Sequence, residues 1–195
     1  MTCNRLLHIA NLLLHRLHFA LVTAAERVLW RLSGVKMGEG VRFSGWCRLY
    51  RYEGSRISID RGTHFVSSAF VNHLGITHPS IIATETPEAT LTIGDGCGFS
   101  GVSIVAFRAI TIGNNVRVGA GTKIMDGDFH TDDPRTGDSK PVVIDDAVWL
   151  GSDVTVLKGV HIGRGSVIAA GSIVTHDIPA GVVAGGCPCR VIKTL

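Results

Sequence analysis

The sequence predicts an all-β fold, a solenoid of about six three-sided coils standing behind one N-terminal α-helix. Three observations predict it: an aliphatic residue recurs at every sixth position from Ile144 onward, glycine is abundant while aromatics are scarce, and a Gly- and Pro-free amphipathic run opens the chain.

The helix comes first. Residues 5–32 place Leu6, Ala10, Leu13, Leu17, Leu21, Ala24 and Val28 at steps of three and four, the period of an amphipathic helix, and segment 1–34 is assigned to it. Its longest stretch without Lys, Arg, Asp or Glu is the ten residues Leu6–His15, too short to span a bilayer. His and Arg interrupt the apolar run and no small-residue cleavage site follows, so it does not read as a secretory leader. Two readings stand. Either the helix packs on the base of the domain or at a subunit contact, or, with Arg5, Arg16, Arg27 and Arg31 beside a wide apolar face, it lies in an anionic membrane interface.

The prism follows, over residues 35–195. Ile144, Leu150, Val156, Ile162, Ile168 and Val174 mark consecutive hexads. Four places after each come Val148, Val154, Val160, Ser166, Ser172 and Ile178, a second inward position that is small or β-branched, while Gly151, Gly163 and Ala169 directly follow their aliphatic residues. Neither a 3.6-residue period nor plain alternation accounts for this, whereas a six-residue side and corner does. Earlier blocks keep the register: Met37, Phe43, Leu49; Ile59, Phe65, Val71; Ile93, Phe99, Val105; and Ile112, Val118, Ile124. Three hexads make one coil, and each coil is completed by its neighbours. The 24 glycines then mark corners, and the 12 aromatics fit a narrow prism with little room for rings. The register breaks near Ile76–Thr90 and again over Phe129–Val143, where polar, Pro- and Gly-containing residues predict a protruding loop at 129–143.

Composition bounds the partners. Residues 1–61 carry ten Lys/Arg against four acids, +6, and residues 62–195 nine against twelve, −3. No basic cluster is dense enough or interleaved regularly enough with aromatics for a nucleic-acid groove. Five scattered cysteines without a CxxC pair indicate neither a disulfide framework nor a zinc knuckle and fit a reducing, cytoplasmic setting, with the inner membrane face as the peripheral alternative.

The hexads resemble those of the hexapeptide-repeat acyltransferases. The tail VWLGSDVTVLKGVHIGRGSVIAAGSIVTHDIPAGVVAGGCPCRVIK is similar to that of the galactoside, maltose and nodulation-factor O-acetyltransferases, and GFSGVSIVAFRAITIGNNVRVGAGTKIMDGDFHTDDP to the polysaccharide O-acetyltransferases. The resemblance implies a left-handed parallel β-helix, a homotrimer with acyl-CoA between adjacent prisms, and transfer of an acetyl group from acetyl-CoA to a saccharide hydroxyl, without a metal. Left-handed coiling runs against the usual crossover preference, so the handedness rests on the resemblance.

Acetylating an alcohol needs a base beside the hydroxyl, and imidazole titrates in the right range. His130, in MDGDFHTDDP, stands where the family carries its catalytic histidine. It is expected to take the hydroxyl proton and return it to the leaving thiolate. Asp128 is read either as the carboxylate that orients His130 or as a turn cap, and it is placed at an inward position. Asp126 is a candidate for acceptor hydroxyls. Ser100 and Ser103 are acceptor contacts or small corner residues; Trp149 packs beside the site or on a neighbouring coil. By the resemblance, Ser152 and Ala170 meet the pantetheine, and Thr175, His176, Arg190 and Lys193 the nucleotide end, with His176 replacing the usual Lys. Cys189 takes a position of small buried residues.

Other classes are weaker. His73 and His78 have the spacing of two ligands in the metal-dependent carbonic anhydrases of this fold, but His64 is too close to be the third. A non-catalytic hexapeptide scaffold and an N-acetyltransferase acting on an amino sugar or antibiotic are the remaining alternatives.

Overall fold

A computed structural model describes residues 3–130 and 132–195, with side chains of the first helix from residue 9 onward. Arg5 and Leu6, expected on the helix faces, therefore lie outside the described side chains. Helix α1 spans Cys3–Leu32. The chain then winds a left-handed parallel β-helix with one short strand per face and three faces per coil.

The first face stacks β1 (Lys36–Met37), β4 (Arg56–Ile59), β7 (Thr90–Ile93), β10 (Ala109–Ile112), β13 (Val142–Ile144) and β16 (His161–Ile162). The second stacks β2 (Arg42–Ser44), β5 (His64–Val66), β8 (Gly98–Ser100), β11 (Arg117–Val118), β14 (Trp149–Leu150) and β17 (Val167–Ile168), and is extended by β19 (Val182–Gly185) and β20 (Arg190–Thr194). The third stacks β3 (Arg48–Arg51), β6 (Ile81–Thr84), β9 (Ser103–Ala106), β12 (Lys123–Met125), β15 (Thr155–Val156) and β18 (Ile173–Val174). Six complete coils result, as the hexads imply, and every pairing is parallel except β19 with β20.

The predicted inward residues form the core columns: Ile112, Ile144 and Ile162 on the first face, Val118, Leu150 and Ile168 on the second, Ile124, Val156 and Val174 on the third, all buried. Ser166 and Ser172 are buried at the second inward position and spend their hydroxyls on the carbonyls of Pro179 and Ala169.

Two register expectations fail. Val71 lies in a loop over 67–80 and is 45% exposed, and the third-face column resumes at Ile82. The first insertion thus falls earlier than Ile76–Thr90, at the corner between the second and third faces. Val105 points outward, because the corner at Gly101–Val102 is one residue short and Ile104 takes the inward place opposite Ile82 and Ile124. Its side chain joins Ala83 and Phe107 in a small outer cluster.

Rings also enter the prism, contrary to the reading of its width. Phe43, Phe65 and Phe99 are stacked in register, with centroids 5.5 and 5.0 Å apart and planes 12° and 13° apart. Trp30 closes the column 5.1 Å from Phe43. In-register pairing sets each of these rings directly over the next, and offset stacking makes that favourable.

Helix α1 caps the open end of the prism. Its buried stripe is Val22, Glu26 and Trp30. Thr23 Oγ1 accepts from Phe43 N and donates to Phe43 O, and Glu26 Oε1 accepts from Cys47 N at 2.6 Å, so polar helix side chains satisfy edge-strand groups. Burial pushes the Glu26 carboxyl above its usual range and the Cys47 thiol up to about 12. The stripe read from the sequence (Leu13, Leu17, Leu21, Val28) faces the other way and is exposed. The capping face must supply hydrogen bonds as well as a wide ring, which the leucines cannot do.

Corners account for the glycines. At the edge between first and second faces the chain takes φ of +71° at Gly62, +66° at Gly96 and +70° at Gly165, a region other residues enter with strain.

Candidate active site

After β12 the chain leaves the edge between the third and first faces and returns fourteen residues later, where Lys140 N donates to Asp126 O at 2.8 Å. The root of this loop is held by Asp126. Its carboxylate has no accessible surface and accepts the backbone N–H groups of Phe107, Arg108 and Ala109 at 2.5, 2.8 and 2.5 Å. Asp126 is therefore not an acceptor-binding residue: its oxygens are consumed by the preceding turn. It, and not Asp128, is the inward carboxylate, being two residues beyond the inward Ile124 on the same side of the strand.

Asp128 is half exposed and pairs with Lys158 Nζ at 2.6 Å. Lys158, at the same edge one coil further on, also donates to Gly137 O at 2.8 Å and so ties both limbs of the loop to the prism. The hydrogen bond described for the Asp128 carboxylate thus goes to Lys158 and not to the imidazole. Phe129 stands edge-on to Phe107, 5.3 Å away. The backbone of His130 is pinned, its carbonyl accepting from Asp133 N and Thr136 Oγ1, both at 3.0 Å. Its side chain is exposed and makes no hydrogen bond among the described residues. A fixed backbone under an uncommitted imidazole suits a base that meets its partner only when substrate is bound.

The other candidates divide between two grooves. Ser103 lines one of about 440 Å³ on the third face with Tyr50, Glu85, Lys123, Met125 and Phe129, which leads to the His130 loop. Ser100 and Trp149 line one of about 210 Å³ on the second face with His64 and Arg117. Burial, and secondarily Arg42, holds the His64 imidazole below its usual range. Lys158, Phe107 and Phe129 carry no signal in the sequence, since the residues they join lie up to 30 positions apart.

The donor candidates divide likewise. Ser152 and Ala170 stack on the edge between second and third faces, where Gly171 N donates to Ser152 O at 2.9 Å. The coils approach closely there: a Cβ on Gly151 would lie 2.6 Å from Ala170 N. Arg190 and Lys193 lie exposed on β20, on the second face. Thr175 and His176, joined Oγ1 to Nδ1 at 2.7 Å, follow β18 on the edge that carries the His130 loop. The donor candidates of one chain therefore do not share an edge, and only Thr175 and His176 lie on that of the His130 loop. Among the described residues no group of three His, Cys, Asp or Glu side chains could hold a metal, and Cys189 is a buried free thiol.

Residues 141–176 match the family model described as bacterial transferase hexapeptide (six repeats). Over 81 residues the chain is 46% identical to 2,3,4,5-tetrahydropyridine-2,6-dicarboxylate N-acetyltransferase of Staphylococcus aureus (strain Newman), covering 42% of this chain and 31% of that protein. Over 98 residues it is 43% identical to galactoside O-acetyltransferase of Escherichia coli (strain K12), covering 48% of each. The chain thus spans about a third to a half of the length of these curated relatives. Among solved structures, a hexapeptide-repeat-containing acetyltransferase from Vibrio cholerae, complexed with acetyl coenzyme A, is 33% identical, with a TM-score of 0.51 over 57% of this chain and 63% of that one. A galactoside acetyltransferase in complex with coenzyme A is 28% identical, with a TM-score of 0.50 over 82% of this chain and 64% of that one. By repeat, fold and relatives the chain is a hexapeptide-repeat, left-handed β-helix protein that resembles the acetyltransferases built on that fold.

Proposed function

We propose that the protein transfers an acetyl group from acetyl-CoA to a saccharide hydroxyl, with His130 as the base. The observation that carries the reading is the uncommitted His130 imidazole on a loop clamped by Asp126 and by the Asp128–Lys158 pair. The galactoside O-acetyltransferase similarity supports the acceptor class. His130 takes the proton from the acceptor oxygen as that oxygen attacks the thioester carbonyl. The tetrahedral oxyanion is stabilised by a backbone N–H, collapse expels the CoA thiolate, and the imidazolium returns its proton to the sulfur. Arg190 and Lys193 suit the phosphates of the donor and Ser152 and Ala170 its pantetheine arm. Because His130 and Arg190 lie on different sides of the prism, the full site is proposed to form between copies of the chain, as a homotrimer would arrange.

The test is CoA thiol release from acetyl-CoA with a panel of neutral, acidic and amino sugars. Wild type should turn over on a hydroxyl acceptor, and His130→Ala should lose roughly 10²- to 10⁴-fold in kcat while still binding CoA. A wild type that binds acetyl-CoA and is inert on every acceptor defeats the reading. Turnover confined to amines selects the N-acetyltransferase reading, which the staphylococcal relative favours.

A further inference from the structure

We propose that helix α1 seats the protein on an anionic phospholipid bilayer, with its outer face in the interface and phosphate headgroups in an arginine groove beside it. Two observations converge on this surface.

The first is the outer face itself. Leu13, Leu17, Leu21 and Val28 are 57%, 59%, 63% and 57% exposed. At 3.6 residues per turn they centre roughly opposite the capping stripe of Val22, Glu26 and Trp30. Since the prism is capped by the other face, nothing in the fold requires leucines here, and a contiguous apolar face of this kind marks an interaction site. No helix of the described residues is long and apolar enough to cross a membrane, so the helix would lie in the surface plane.

The second is charge. Among the described helix side chains the carboxylate is that of Glu26, buried and bonded to Cys47 N, so the outward charges, Arg16, Arg27 and Arg31, are all cationic. Arg16 and Arg27, eleven residues and about three turns apart, share the flank between the capping and leucine faces. They border a groove of about 510 Å³ whose far wall, on the prism, holds Arg42 and His64. None of these three arginines has an ion-pair partner among the described residues, and the Nε of Arg27 is buried without a hydrogen bond. Guanidinium groups spaced along a groove lined by Phe19, Ala20 and Ala24 suit phosphates carried on apolar tails. A second copy of the same helix would bring like charges together, which favours lipid as the occupant.

The test is co-sedimentation of the full chain with vesicles of phosphatidylcholine, with and without phosphatidylglycerol. Binding is expected only to the mixed vesicles and should weaken as salt is added. Leu17→Ser with Leu21→Ser and Val28→Ser should abolish it, and Arg16→Glu with Arg42→Glu should weaken it by tenfold or more, at about 1 kcal/mol per charge near the surface. All these side chains are exposed, and unchanged circular dichroism and unfolding temperature would exclude misfolding. Equal binding to phosphatidylcholine, or none to either vesicle, overturns the proposal. So does displacement from vesicles by millimolar inorganic phosphate, which would make the groove a free-phosphate site. A drop in oligomeric mass on light scattering in the leucine variant, with vesicle binding unaltered, would assign the face to a second copy and likewise overturn it.

Discussion

The carboxylate of Asp126 accepts three consecutive backbone N–H groups from the turn of Phe107, Arg108 and Ala109, in a position with no solvent-accessible surface. It fastens the loop root to the coil beneath. Asp126→Ala leaves these N–H groups without their acceptor, that of Phe107 fully buried and those of Arg108 and Ala109 partly so, and hydrogen bonds to a charged group carry about 1.5–3 kcal/mol each. A loss of about 3 kcal/mol or more is expected, read as a lower urea midpoint, with acetyl transfer reduced because His130 rides on the same root. The two carboxylates of DGD look alike in sequence. Alternation puts Asp126 on the inward side with Ile124, and by Asp128 the chain has left the strand and the pairing goes to Lys158. His130 was legible as a candidate because its place at the loop root and its resemblance to a family position both indicate it. The Lys158 clamp was not, because a salt bridge between residues 30 positions apart has no local period.

Among the elements, helix α1 shows how an amphipathic pattern identifies an element without saying which face is buried. The leucine period marks residues 5–32 as helical, and the helix is there, but its cap is made by Val22, Glu26 and Trp30 on the opposite side. The choice is set by the prism's open end, which presents the ring of Phe43 and the unpaired N–H and C=O groups of β2. Trp30→Ala should therefore cost about 3–5 kcal/mol, because it removes a fully buried ring and uncovers the phenylalanine column. Thermal unfolding monitored by circular dichroism checks this, and a change no larger than that of an exposed-leucine variant would contradict the capping role. The outward leucines and the arginines beside them form the second face of the same element, the one proposed to meet lipid.

At the scale of the whole molecule, stacking divides the candidate residues between edges: His130, Thr175 and His176 on one, Ser152 and Ala170 on another, with Arg190 on the second face. A site shared between copies has a specific consequence. His130→Ala and Arg190→Ala should each be inactive alone at limiting acetyl-CoA, and their mixed assembly after joint refolding should regain activity at about a quarter of the sites, the fraction that draws each intact residue from the other subunit. No recovery, with mixed oligomers verified, would place the site within one chain. The sequence by itself determined the solenoid, the number of coils, the helix and the loop with its histidine, because a six-residue period with small corner residues is a local pattern repeated often enough to be read. Only the tertiary structure decided that Ile104 and not Val105 points inward, that Asp126 is met by the turn of Phe107–Ala109 and Asp128 by Lys158, and that the leucine face of the helix is left open. Each of these depends on which residue of a neighbouring coil or strand edge, about twenty to thirty positions away, is stacked against it, and a period in one strand carries no information about that partner.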